Sequence, residues 1–258
     1  VIEEVKVMAT RKKNKEIYED VQIYGPEDIA HLNVEEVIAK VNIDLLENKG
    51  TSAIKASTSQ FEHYYSENPT SDLRVKEHIL KLKNAHQYKF KAPSGVYGKK
   101  RIDRASILLI ENVKLTNEKV LDIGCGYGVI GITLKKEYPN ITLFMSDINS
   151  RAVEYSKINA KDNNAQAIVK QGHLFEPWEG ELFDVIVCNP PIVAGKAVLH
   201  ELVNHAKDFL VSNGKLFIVA YHNKGGSSLE NYMKEVFGNV IQVTKSGGFR
   251  VYLSMKRG

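Results

Sequence analysis

Between Lys119 and Met255 the chain alternates short apolar runs with stretches whose apolar residues recur every three or four positions. A short apolar run fits a buried strand, and the wider spacing fits a helix with one buried face. The pattern predicts strands at Lys119 to Ile123, Ile141 to Ser146, Ala167 to Gln171, Phe183 to Cys188 and Lys215 to Ala220. Helices are predicted between them, at Val129 to Glu137, Ser150 to Asn163, Ala197 to Val211 and Ser228 to Phe237. Strands separated by helices imply an α/β fold with a doubly wound, mostly parallel, Rossmann-like sheet. Two closing strands follow, Val240 to Thr244 and Phe249 to Met255, the second entered through Gly247-Gly248. That tight glycine turn implies an antiparallel hairpin at one edge.

Upstream the pattern changes. Ile2 to Met8 and Ile17 to Tyr24 alternate apolar and polar residues, and Val34, Val37, Ile38, Val41 and Leu45 recur at helical spacing. Residues 1–50 therefore read as a small α+β N-terminal module of unknown role. Residues 51–61, rich in Ser, Thr and Ala, read as a linker. The remaining 62–258 form the main domain. Near its start Gln87 to Lys91 alternates like a strand, with Tyr88 and Phe90 on one face and lysines on the other.

Charge separates these regions further. Residues 1–61 hold 8 basic and 11 acidic residues, whereas the rest holds 27 and 20. Within Arg74 to Arg104, ten basic residues face Glu77 and Asp103 alone. Such an excess suits a phosphate-bearing partner. The acidic module suits protein docking better than RNA contact. No apolar run approaches the roughly 18 residues that span a bilayer, so no membrane is expected. Cys125 and Cys188, the two cysteines, fit no metal-ligand spacing, and the eight histidines fit none either. No metal is expected, and a reducing, cytoplasmic setting is.

Two motifs carry chemistry. Val120-Leu-Asp-Ile-Gly-Cys-Gly-Tyr-Gly128 runs from a buried strand into a glycine turn and a helix. Gly124, Gly126 and Gly128 let a ligand approach the backbone without a Cβ in the way. Asp147 ends the next strand about 20 residues on, where a carboxylate can grip ribose hydroxyls. Gly126, Gly128 and Gly131 also satisfy the dinucleotide pattern, so the glycines alone do not choose the cofactor. Asp122 inside the turn would repel a pyrophosphate and suits an ammonium, which favours S-adenosyl-L-methionine. The second motif is Asn189-Pro190-Pro191-Ile192 after the strand ending at Cys188. Its prolines stiffen the loop and remove two backbone donors. What remains are acceptors, the Asn189 side-chain oxygen and the Pro190 carbonyl, suited to the two hydrogens of an exocyclic amine.

Leu121-Asp-Ile-Gly-Cys-Gly-Tyr-Gly-Val-Ile-Gly131, Asp147-Ile-Asn, Asn189-Pro-Pro-Ile and Gly247-Gly-Phe-Arg-Val-Tyr252 together resemble the "methyltransferase small" domain family, over about 62–258. The family includes the bacterial small-subunit rRNA guanine-N2 methyltransferases, and short archaeal single-domain members carry the same Asn-Pro-Pro-Ile. The resemblance implies a seven-stranded class I methyltransferase sheet and S-adenosylmethionine as cofactor. It places Gly124, Cys125 and Gly126 against the methionine part, Asp147 on the ribose and Ile148 on the adenine. It makes Asn189 the catalytic orienter, with Pro190 beside it. Two positions depart from the family. His173, followed by Leu174, stands where an adenine-contacting Asp is usual. Ile192 stands where an aromatic commonly stacks on the target base; Tyr97, Tyr221, His222 and Phe249 are the candidate replacements.

The partner implied is RNA, rRNA before tRNA. Lys89, Lys91, Lys99, Lys100 and Arg101 would meet phosphates, and Tyr88, Phe90, Tyr97 and Phe249 could stack on unpaired bases. The competing readings are adenine-N6 or protein-glutamine methylation, a cofactor-binding module of low activity in a ribosome assembly, and a nucleotide-dependent oxidoreductase.

Overall fold

The computed structural model describes residues 67–190 and 195–258. The expectations for residues 1–61 lie outside the described residues, as do those for Pro191 and Ile192. The first described strands, β1 (Val75–Lys81) and β2 (Gln87–Pro93), pair antiparallel as a separate two-stranded sheet. Helix α1 (Arg104–Asn112) follows. The main domain then runs β3 (Lys119–Ile123), α2 (Val129–Glu137), β4 (Thr142–Asp147), α3 (Ser150–Asp162), β5 (Ala167–Gln171), β6 (Phe183–Cys188) and α4 (Gly195–Asp208). It closes with β7 (Leu210–Tyr221), α5 (Ser227–Phe237), β8 (Ile241–Ser246) and β9 (Phe249–Met255).

Seven strands form one sheet in the order β5-β4-β3-β6-β7-β9-β8. The first five are parallel, while β9 runs antiparallel to both β7 and β8. Both faces of the sheet are covered, which explains why its central strands are apolar at successive positions. On β3, Val120 belongs to the core beneath α1, α2 and α3, with Leu109, Ile132 and Ala152. Its neighbour Leu121 belongs to the opposite core, with Leu202 of α4 and Met233 of α5. The closing hairpin turns through Gly247 (φ 54°) and Gly248 (φ 87°). Two successive positive φ values make the mirror-image turn that matches strand twist.

The pattern of apolar residues assigns no helix to 104–112, because Ile107-Leu108-Leu109-Ile110 reads equally as a strand. Asp103 decides the matter as N-cap, its carboxylate accepting the Ala105 N–H at 3.2 Å. Likewise α4 ends at Asp208 rather than Val211, and β7 starts at Leu210, where it pairs with Phe183. One side chain binds the chain entering the domain to its middle. Arg151, in the first turn of α3, donates to the Pro69, Ser71 and Ser94 carbonyls and to the Ser71 hydroxyl, at 2.9–3.2 Å.

Candidate active site

Chain order reverses between β3 and β6: β4 and β5 lie on one side of β3, while β6 begins the other. Open α/β sheets form a crevice at such a point, beyond the carboxyl ends of the strands. The register pairs Asp122 with Val187, so Gly124 and Asn189 leave adjacent strands at the same level. A cavity of about 390 Å³ opens there, walled by the ends of β3, β4, β5 and β6, the 96–98 loop, and α1 and α4.

The glycine turn forms its floor. Gly124 (φ +68°) has nothing within 4 Å of where a Cβ would stand, so its flank is open. Gly126 (φ +56°) is nearly as free, with a Val96 methyl 3.9 Å away. Gly128 (φ +91°) serves a different end, since a Cβ there would come within 2.5 Å of the Ile132 side chain. It lets α2 pack closely and does not line the cavity. The turn is held by β4: the Cys125 N–H donates to the Ser146 carbonyl at 2.9 Å, and the Gly126 N–H to Asp147 Oδ2 at 2.8 Å. Asp147 Oδ1 accepts the Asn149 N–H at 2.9 Å. Burial raises the Asp147 pKa, and these amide bonds oppose the rise.

Asp122 lies lower than the sequence suggests. It is buried in β3 and is not among the residues walling the cavity. Its Oδ2 accepts the Gly131 N–H at 2.8 Å, and its Oδ1 has no partner. Burial pushes its pKa to about 7, the Gly131 bond opposing. Its place is under the turn, tying β3 to α2.

The cavity brings together Tyr97, Gly124, Cys125, Gly126, Asp147, Ile148, His173, Leu174, Asn189 and Pro190 from the sequence-derived candidates. His173 Nδ1 stands 3.7 Å from Glu201 Oε1 of α4. Burial drives both cysteine thiols up, with the Asp147 and Asp122 carboxylates adding to it, so neither is an activated nucleophile. The Asn189 amide is held at its nitrogen: Nδ2 donates to Asp103 Oδ2 at 2.8 Å and to Ser106 Oγ at 3.0 Å. Asp103 and Ser106 both touch the cavity, and motif reading missed them because α1 brings them there from more than 80 residues away. Tyr127 was also missed; it is buried, and its hydroxyl donates to the Gly98 carbonyl at 3.3 Å, bracing the 96–98 loop.

The basic and aromatic candidates divide. Lys99, Lys100 and Arg101 line a second, shallower concavity of about 350 Å³ that shares Tyr97, Gly98 and Asp103 with the first. This loop is supported from β1, where His78 Nε2 lies 2.8 Å from the Lys99 carbonyl and Lys76 Nζ lies 3.3 Å from that of Lys100. Lys89 and Lys91 sit on β2 against α3 instead. The Lys89 carbonyl accepts from Asn163, and the Lys91 ammonium pairs with Asp162 at 2.8 Å. Stacking by Phe90 is corrected, because Phe90 is buried in the core; Tyr88 is half-buried, and its hydroxyl donates to Glu137. Phe249, at the start of β9, packs edge-on to Tyr221 with ring centroids 5.2 Å apart and lines neither concavity.

Comparison with known proteins agrees with this geometry. The model of the methyltransferase small domain matches residues 87–253. The uncharacterized protein YbxB of Bacillus subtilis is 35% identical over 199 residues, covering 76% of this chain and 98% of its own. Ribosomal RNA small subunit methyltransferase C of Haemophilus influenzae (strain PittGG) is 32% identical over 163 residues, 61% of this chain and 48% of the relative. The chain thus spans about half the length of such relatives. Among solved structures, a T. thermophilus 16S rRNA N2 G1207 methyltransferase in complex with AdoMet and guanosine superposes with a TM-score of 0.63 at 24% identity. The match covers 73% of this chain and 52% of that one, and is a likeness of fold. With the glycine turn, the acid at the end of β4 and the Asn-Pro loop converging on one cavity, the chain belongs to the methyltransferase small domain family, and it is an S-adenosylmethionine-dependent methyltransferase.

Proposed function

We propose that this domain methylates an exocyclic base amine of RNA, guanine N2 of a ribosomal RNA first. One observation carries the reading: Asn189 and the open flank of Gly124 share one cavity, and the Asn189 nitrogen is already engaged by Asp103 and Ser106 in its wall. The amide oxygen is thereby left as the group to offer a substrate N–H.

The cavity suits the cofactor. Gly124 and Gly126, on either side of Cys125, present backbone without an intervening Cβ, Asp147 offers carboxylate lone pairs to the ribose, and Ile148 and Leu174 give the adenine apolar walls. When bound, the cofactor supplies an electrophilic methyl on a sulfonium. The residues of the chain do the rest by alignment. The Asn189 oxygen and the Pro190 carbonyl accept the two amine hydrogens and keep electron density on the nitrogen. No strong base is required beforehand, because the proton leaves after the nitrogen has become cationic. Lys99, Lys100 and Arg101 would hold the neighbouring phosphates, and Tyr97, which lines both concavities, would stack on the base. The rRNA methyltransferases among its relatives support RNA as the acceptor.

Methyl transfer from labelled S-adenosylmethionine to rRNA, tRNA and protein, followed by nucleoside analysis, tests this reading. N2-methylguanosine in rRNA is expected; label in protein alone would overturn it. Asn189→Ala should leave cofactor affinity, read by calorimetry, within about threefold while turnover falls by about two orders of magnitude or more, as when an oriented catalytic dipole is removed. Unchanged turnover would remove Asn189 from the mechanism.

A further inference from the structure

An asparagine amide has two ends of opposite polarity and nearly equal shape. With Oδ1 toward a substrate it accepts N–H groups; turned over, it presents two donors and repels an amine. Something must choose between these states. Here the choice is made in the cavity wall, at the start of α1. Asn189 Nδ2 stands 2.8 Å from Asp103 Oδ2 and 3.0 Å from Ser106 Oγ. A carboxylate only accepts, so the turned-over amide would set an oxygen against Asp103 at that distance. Asp103 is itself fixed. Its Oδ1 caps α1 by accepting the Ala105 N–H at 3.2 Å, and its Oδ2 also accepts from the Tyr97 hydroxyl at 3.2 Å. Ser106 stands three residues on, in the same first turn and facing the same way, and is buried.

We propose that Asp103 is the positioning residue that locks the polarity of Asn189, with Ser106 as second acceptor, so that the site takes N–H donors as substrates. This rests on the reading of Asn189 as the group that meets the amine. The bond to a carboxylate is charge-assisted and about twice as strong as a neutral one. It also polarises the amide, which makes Oδ1 a better acceptor. The same carboxylate holds Tyr97, so one residue sets both the acceptor and the ring that flanks it.

The test separates this role from helix capping. Asp103→Ser keeps a good N-cap but removes the carboxylate from Asn189. Asp103→Asn keeps cap and shape but supplies a donor that tolerates the turned-over amide. In the full chain with 15N-labelled asparagine, one Asn189 side-chain proton should lie well downfield and exchange slowly in the wild type. In both variants it should return to the ordinary asparagine range. Turnover on RNA should fall about 10- to 100-fold, with KM for cofactor and RNA within about threefold and the melting temperature of Asp103→Ser nearly unchanged. Wild-type turnover in both variants, or an Asn189 resonance that does not move, would overturn the lock. A moving resonance together with full turnover in Asn189→Ala would instead spare the lock and overturn the proposed function.

Discussion

Gly124 and Gly128 stand four residues apart with the same sign of φ, yet space separates their roles. At Gly124 a Cβ would enter open cavity; at Gly128 it would strike the buried Ile132 side chain at 2.5 Å. Gly124→Ala should cost about 1 kcal/mol of stability from the left-handed backbone while lowering cofactor affinity at least tenfold. Gly128→Ala adds overpacking to the same strain and should cost roughly 2–4 kcal/mol. Chemical denaturation and calorimetry on both variants check the contrast; equal losses of stability would refute it. Asp122 offers a test through pH. Its folded carboxyl holds a proton to about 7, against an ordinary value of 3.8. The folded state therefore binds more protons between those values, and stability drains away as pH rises through that window. Asp122→Asn keeps an oxygen for the Gly131 N–H and removes the titration. Between pH 4 and 8 the wild type should lose on the order of a few kcal/mol more than the variant. Parallel stability curves would show that Asp122 does not take up that proton.

Elements differ in how openly the chain announces them. The strands and helices from 119 to 255 repeat their apolar residues at periods that local physics enforces, and the structure leaves most of their ends in place and moves most of the others by one or two residues. α1 escapes because its apolar run has no clear period, and its start is declared by a single cap. β1 escapes because its exposed Val75 and Ile79 sit among charged residues, with little burial pattern to read. The segment before β1 is held by the Ser94 hydroxyl, which donates to the Asp72 carbonyl at 2.6 Å, by the Ser150 N–H, which donates to the Glu67 carbonyl at 2.9 Å, and most extensively by Arg151, which no local pattern announces. Its guanidinium bonds to the Pro69, Ser71 and Ser94 carbonyls at 2.9–3.2 Å, a fork that lysine cannot copy. Arg151→Ala should cost roughly 2–3 kcal/mol, the range for hydrogen bonds to a charged group, and should speed proteolysis between residues 67 and 73. Arg151→Lys should recover less than half of the loss. Unaltered proteolysis in the alanine variant would mean that the segment is held by other contacts.

Across the whole molecule, the candidate site was legible where it is contiguous and hidden where folding assembles it. The glycine turn, Asp147 and Asn189 sit in short motifs at strand ends. Asp103 and Ser106 carry no such mark, because their roles exist only once α1 meets β6; Tyr127 sits inside the glycine motif, but its role exists only once the 96–98 loop reaches it. The same applies to charge. The basic residues from Arg74 to Arg104 form one block in the chain, but the fold disperses them. Lys83 pairs with Glu111 and Lys91 with Asp162, while Lys99, Lys100 and Arg101 gather beside the cavity. The phosphate-binding surface should therefore be narrower than the block. Each phosphate neutralised on a single strand contributes about −0.7 to the slope of log affinity against log salt. Replacing Lys99, Lys100 and Arg101 with alanine should make that slope shallower by roughly 2, measured by anisotropy on a single-stranded RNA oligonucleotide. The Lys89→Ala, Lys91→Ala double variant should keep the wild-type slope within about 0.5. If the double variant loses as much as the triple one, the RNA runs along β2, and the concavity beside Tyr97 is not its path.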